Sequence, residues 1–214
     1  MSAVAHIDEF KTGRYFRAES RGTLSWNGYE NNVLLQNQGT DNDGIPQFLD
    51  VGMATGADDI LDSRGLALAD FDNDGDLDIA INHNEGDVGG EDGVPVTLLR
   101  NDLGNDRNWL AVELVGAATS DTAGGAGEAS NRDGIGSLVR IESGNMRQLR
   151  VVKAGSSYAS QSSGRVYFGL GDLTAVDSLT VSWPSGRQQR FAAVAPGQVI
   201  RIREGVDEVE VVRD

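Results

Sequence analysis

The 214-residue chain contains no cysteine. That excludes a disulfide scaffold, a thiolate metal site and a cysteine nucleophile, and it leaves the redox compartment open. Histidine occurs twice, at His6 and His83, and no pair of ligands has the spacing of a zinc site on one face. Basic residues are few: 18 Lys and Arg stand against 33 Asp and Glu, a formal net charge of −15. Nucleic acid needs a basic face and anionic membranes attract one, so neither is an expected partner. No apolar run approaches membrane-spanning length, so membrane insertion is not expected. The start, M-S-A-V-A-H-I-D-E-F-K, lacks the charged and apolar regions of a signal peptide. A removed leader, another export route and an intracellular location all stay open. Proline is scarce (4) and glycine abundant (28), as in chains of many strands joined by tight turns.

A catalytic set is also missing. The serines of S-S-Y-A-S-Q-S-S have no nearby base and no G-x-S-x-G elbow. Carboxylate pairs are too common in so acidic a chain to discriminate anything. His83 is expected two residues beyond a strand, in a polar turn. The chain is therefore read as non-enzymatic.

What is present is short and alternating. Hydrophobic residues make up 39% of the chain, and they fall into brief runs bounded by turn signals, a globular pattern. Residues 1–20 read as an N-terminal arm or edge strand. Asn27-Gly28 is a hairpin signal within Arg21–Glu30. N-V-L-L-Q-N and the stretch around Phe48 and Leu49 are strands joined by a polar turn, Gln38–Gly44. Leu66 and Leu68 alternate with alanine, and Leu77, Ile79 and Ile81 alternate with Asp78, Ala80 and Asn82, giving two half-buried strands. A glycine-rich acidic loop, Glu85–Gly93, precedes a strand beginning at Pro95. The turn residues near Asn101–Arg107 mark a boundary. After it, N-W-L-A-V-E-L-V-G, a Gly/Ala/Ser/Thr loop (Gly116–Ser130) and six closely spaced strands read as an antiparallel sandwich or barrel. One helical turn is expected near Leu173–Val176. The end, Val206–Val212, is either a final strand or an acidic tail.

Between the two alternating strands lies D-F-D-N-D-G-D-L-D, Asp70–Asp78. Five aspartates in nine residues repel one another unless a hard cation offsets them. Asp70, Asp72 and Asp74 occupy alternate positions, Gly75 permits a sharp turn, the carbonyl of Asp76 adds a backbone oxygen, and Asp78 closes the shell. The flanks are strand-like where an EF-hand would have helices. The expectation is a Ca2+ loop in a β-hairpin setting. Asp41–Asp43 has a thinner oxygen set and reads better as a polar turn. In S-N-R-D-G-I-G-S, Asn131 and Asp133 are expected to bond the turn backbone while Arg132 pairs with a carboxylate, a second ion being the minority reading. Trp183 reads as a core indole; Trp26 and Trp109 are ambiguous.

The strand–loop–strand unit with its upstream N-V-L-L-Q-N-Q-G hairpin resembles the FG-GAP or VCBS repeat, the blade unit of integrin-type β-propellers. That resemblance implies calcium held by Asp70, Asp72, Asp74 and Asp78, with Asp76 through its backbone. S-N-R-D-G-I-G-S, Y-A-S-Q-S-S, Y-F-G-L-G and V-S-W-P-S-G-R, in that order, resemble the ASPIC/UnbV domain of cartilage-acidic-protein-like proteins. Together the resemblances cover about Ser25–Glu204. They imply an all-β chain: an arm (1–20), a propeller-blade-like calcium unit (21–105), an antiparallel β domain (106–205) and a C-terminal strand or tail (206–214). The family places several calcium repeats before this domain, and here there is one clear loop, which cannot close a propeller.

The functional expectation is a calcium-stabilised extracellular module for adhesion or self-assembly. Its partner would be another copy of the chain, through exposed strand edges or exchanged termini, or else a glycan or surface protein. The alternative is a carbohydrate-binding or glycan-processing domain with calcium as a structural staple.

Overall fold

The computed structural model describes residues 30–83, 96–102, 104–118 and 129–212. The expected N-terminal arm, the Asn27-Gly28 hairpin, His6, Trp26 and the Glu85–Gly93 loop lie outside these residues, as does most of the Gly116–Ser130 loop. The fold is all-β, as expected from the alternating runs, and among the described residues no helix is long and apolar enough to cross a membrane.

Two compact units emerge, and the chain passes between them more than once. One holds the described residues up to Gly65 together with 81–83 and 96–97; the other holds Leu66–Ala80 and those from Leu98 onward. In the first unit β1 (Leu35–Thr40) pairs antiparallel with β2 (Pro46–Asp50), with a register shift between Asn37 and Gly39. Helix α1 (Gly52–Thr55) follows and stops at Gly56, whose φ of 72° gives the left-handed cap that glycine adopts without strain. Strands β3 (Ser63–Ala69), β4 (Asp78–His83) and β5 (Val96–Leu99) form a three-stranded sheet in that order.

The second unit is a sandwich of two four-stranded sheets. Its strands are β6 (Asn108–Val115), β7 (Leu138–Ser143), β8 (Met146–Val151), β9 (Val166–Gly171), β10 (Val176–Ser182), β11 (Gln188–Val194), β12 (Gln198–Arg203) and β13 (Val209–Val212). One sheet has the order β11-β10-β7-β8 and the other β13-β12-β6-β9. Inward residues alternate as strand pleating requires: Val139 and Ile141 from one sheet meet Leu110, Phe168 and Ile200 from the other, all with no exposure. Each such side chain contributes about 1.5–3 kcal/mol by leaving water. β6 sits inside its sheet, and Leu110, Ala111 and Val112 are all fully buried. The C-terminal segment is thus a strand, β13, paired antiparallel with β12.

Three expectations need correcting. β6 and β12 run parallel, Leu110 opposite Gln198 through Val115 opposite Arg203. A parallel pair needs a long crossover, and here β7 to β11 provide it. No helical turn forms at Leu173–Val176: Leu173 donates its N–H to Leu170 O in a turn, and β10 starts at Val176. His83 is not in a turn but is the last residue of β4, 4% exposed. Its Nε2 lies 2.8 Å from Thr97 Oγ1 and 3.7 Å from Asp59 Oδ2.

Candidate metal centre

The loop joining β3 to β4 is folded by its own carboxylates. Asp70 Oδ1 accepts the Asp74 N–H at 3.0 Å and its Oδ2 accepts the Gly75 N–H at 3.1 Å. Asp74 Oδ1 in turn accepts the Asp76 N–H at 3.2 Å. These side-chain caps turn the backbone inward, and Asn73 (φ 60°) and Gly75 (φ 102°) take the left-handed conformations that the turn requires. Asp78 anchors the exit. Its Oδ2 accepts the Phe71 N–H at 2.9 Å and its Oδ1 the Asn101 N–H at 2.8 Å, and it is 1% exposed.

The sandwich supplies the rest of the support. A Cβ on Gly75 would stand 2.0 Å from Trp109 Cε2, so the indole at the start of β6 lies directly on the loop's glycine. Two demands, positive φ and close approach, therefore fall on one position, and only glycine meets both. The turn after β5 closes from another side. Gly104 donates its N–H to Asp76 Oδ2 at 2.9 Å, and a Cβ there would come within 2.6 Å of Asp76 Cβ.

One carboxylate oxygen from each of Asp70, Asp72 and Asp78 converges to within 4.8 Å of the others. Ligands about 2.3–2.6 Å from a single Ca2+ can be at most about 4.6–5.2 Å apart, so this spread fits one ion. The three residues grade from half-buried Asp70 through exposed Asp72 to buried Asp78. Asp74 and Asp76 stand differently. Their side chains bond the loop backbone and the Gly104 N–H, and neither belongs to the converging trio.

Burial pushes the Asp70 carboxyl above its usual range, and the negative charges of Asp74 and Asp72 add to that rise against the Gly75 and Asp74 hydrogen bonds. The ionised loop is under electrostatic load that a cation would relieve. Arg100 stands at the rim, 2.7 Å from Asp102 Oδ1 and 3.9 Å from Asp72 Oδ2. Tyr167 from β9 places its hydroxyl 3.5 Å from Asp70 Oδ2. Burial and the Asp70 charge push this phenol up, which keeps it neutral.

The two weaker ion candidates are hydrogen-bonded turns. Asp41 Oδ1 accepts the N–H groups of Asp43 and Ile45 at 3.0 and 2.9 Å. Asn131 bonds both the N–H and the carbonyl of Ile135, and Arg132 pairs with Asp133 at 3.0 Å. Trp183 is a core residue, 4% exposed, with its indole N–H donated to Gln189 Oε1 at 2.7 Å.

Sequence reasoning left Trp109 ambiguous and passed over Gly104 and Glu204. Glu204 is buried, and its Oε2 accepts the N–H groups of Ala117 and Ser130 at 2.9 and 2.8 Å. Its Oε1 takes the hydroxyls of Ser130 and Ser185. One carboxylate thereby clamps both ends of the Gly/Ala/Ser/Thr loop. The signal was an acidic residue in the turn just after β12, too common in this chain to stand out.

Fold and site together define an all-β sandwich module with a carboxylate loop seated on its second unit. Residues 127–209 match the model of the family described as ASPIC and UnbV. The chain is also similar to cartilage acidic protein 1 of Xenopus tropicalis, 30% identical over 128 residues, 59% of this chain and 17% of that protein. The human cartilage acidic protein 1 is 29% identical over 123 residues, 58% of this chain and 16% of that protein. The match thus spans about a sixth of the length of these relatives.

Proposed function

We propose that the chain is a non-enzymatic, calcium-stabilised β module that works by binding, in adhesion or self-assembly, in an extracellular setting. The observation that carries the reading is the convergence of Asp70, Asp72 and Asp78 oxygens within 4.8 Å on a scaffold braced by Trp109 and Gly104. Ca2+ tolerates carboxylate and backbone oxygens in irregular geometry, which suits a loop of this kind. The bound ion would supply charge neutralisation and tie β3 to β4; the chain's own residues hold the carboxylates in place. The FG-GAP/VCBS likeness of the loop and the likeness to cartilage acidic protein 1 support calcium and an extracellular setting.

Edges left open among the described residues support self-assembly. β13 is an edge strand whose Val209 and Val211 are exposed, and β8 is an edge strand exposing Leu149 and Val151. Unpaired N–H and C=O groups beside apolar side chains are what a second copy would cover, or what exchange of the C-terminal strand would satisfy. Light scattering coupled to size-exclusion chromatography, in millimolar calcium and in chelator, tests both parts. The expected outcome is a defined oligomer whose size or melting temperature changes on chelation. A monomer indifferent to calcium removal would overturn the reading.

A further inference from the structure

The second unit carries a surface whose charge opposes that of the chain. A cavity of about 480 Å3 is bordered by Glu113, Arg132, Asp133, Lys153, Gln161 and Arg165. A second, of about 230 Å3, shares Lys153, Ser163 and Arg165 with it and extends to Arg150 and Tyr167. Because they share these walls, we take the two together as one groove. Four cations and two carboxylates border it, in a chain whose formal net charge is −15.

The cations differ in what they already hold. Arg132 is paired with Asp133, and Arg165 lies 3.5 Å from Glu113. Glu113 is further satisfied by Arg201 at 2.8 Å. Lys153 is exposed and, among the described residues, faces no carboxylate at ion-pair distance. Arg150 is exposed too, and its guanidinium donates only to neutral acceptors: the carbonyls of Tyr167 and Leu149 and the amide oxygen of Gln148. Among the described residues Arg150 thus has no carboxylate partner, its guanidinium lying 5.4 Å from the centroid of the Phe168 ring, and neither has the neighbouring Lys153.

We infer that this groove binds an acidic oligosaccharide, a chain of sugars bearing carboxylate or sulfate groups. Lys153 and Arg150 would meet the anionic groups, charge-assisted bonds being the strong ones. The remaining lining suits sugar hydroxyls, which both donate and accept: Gln161 and Ser163 can do either, and the Glu113 and Asp133 carboxylates accept. Ile135 offers apolar contact to a ring face. The inference rests on the reading of the chain as a binding module, and not on calcium or on oligomer formation.

The test is titration of the full chain with four labelled probes: a heparin-derived decasaccharide, a hyaluronan decasaccharide, a neutral cellulose-derived oligosaccharide and poly-glutamate. At least one acidic saccharide should bind with an affinity that falls as salt rises, while the neutral chain and poly-glutamate do not bind comparably. The two acidic probes separate sulfate from carboxylate recognition. Joint replacement Arg150→Ala and Lys153→Ala should weaken binding about tenfold or more. Gln161→Ala should weaken saccharide binding about threefold to tenfold. If the joint variant melts early, Lys153→Ala alone carries the test, since its side chain is exposed and faces no carboxylate.

The inference is overturned if the folded chain binds neither acidic saccharide, if poly-glutamate binds as tightly, or if the groove variants bind unchanged. Any of these results would leave a calcium-dependent oligomer standing, and an indifferent monomer that still bound saccharide through Lys153 would leave the groove standing.

Discussion

The three converging aspartates of the loop differ in burial and hydrogen bonding, and substitution should separate their structural roles from the ionic role proposed for them. Asp72 is exposed and belongs to the converging trio. Asp72→Asn should lower the melting temperature in calcium and shrink the response to chelator, yet leave the chelated protein no less stable, because it removes a like charge. Asp78 holds two backbone N–H groups from a buried position. Asp78→Ala should cost about 1–3 kcal/mol for each N–H left unsatisfied, with or without calcium, as read by denaturant unfolding. Gly75→Ala should be as severe, about 2–4 kcal/mol, because the new methyl would overlap the Trp109 ring at a position of positive φ. The two shifted carboxyls give opposite pH signatures. The Asp70 value is raised on folding, so its ionised form burdens the calcium-free fold. That burden is absent below the unfolded value and complete above the folded one, so chelated protein should gain relative stability toward acid. For Glu204, burial acts to raise the value, but the hydrogen bonds from Ser185, Ala117 and Ser130 outweigh it and the net shift is downward. Its contribution is full above the unfolded value and is lost as pH falls through the lower folded one. Melts of Glu204→Gln and the native chain should therefore differ at neutral pH and converge in acid.

At the scale of elements, the question left by the proposed calcium loop is what protects its sheet. Part of the answer is the serine segment before β9. Ser163 donates its N–H to Leu68 O at 2.8 Å, and Ser162 Oγ accepts the Leu68 N–H at 3.1 Å. Ser160 Oγ donates to Leu66 O at 2.7 Å. A loop thus occupies the outer edge of β3, a device that keeps an edge strand from pairing with other chains. Ser163→Pro removes one of these donors and stiffens the segment. It should speed amide exchange at Leu68 and raise the scattering of the protein at high concentration. Unchanged exchange would show that the serine segment does not guard the edge. The Y-A-S-Q-S-S stretch was visible in the sequence as a family-like motif, but its use as an edge cover was not, because its partners lie 94 positions away.

For the whole molecule, the distribution of acid and base matters more than the total. Most of the charge of −15 is solvated surface that keeps copies apart at long range, while the groove around Lys153 and Arg150 is a local reversal. Attraction of an acidic saccharide to such a chain should be short-ranged and sensitive to salt. Self-association through β13 or β8 has to overcome the same repulsion. Raising ionic strength should therefore favour the oligomer, as read by sedimentation velocity, while it weakens saccharide binding. A parallel change in both would contradict a groove that binds through charge and an oligomer that forms against it.

Alternation and glycine-rich turns were enough to determine an all-β chain, because pleating and turn chemistry are local. The D-x-D-x-D-G spacing likewise marked the loop, and N-R-D-G-I-G-S and V-S-W-P-S-G marked a turn and a core indole. Only the tertiary structure decided that β6 and β12 run parallel, that His83 is buried in a strand, and that no helix forms at Leu173–Val176. It also decided which aspartates converge, since Asp70, Asp72 and Asp78 are selected by where Asn101, Gly104 and Trp109 press on the loop. Those contacts join residues far apart in the chain, and side-chain periodicity carries no information about partners at that separation.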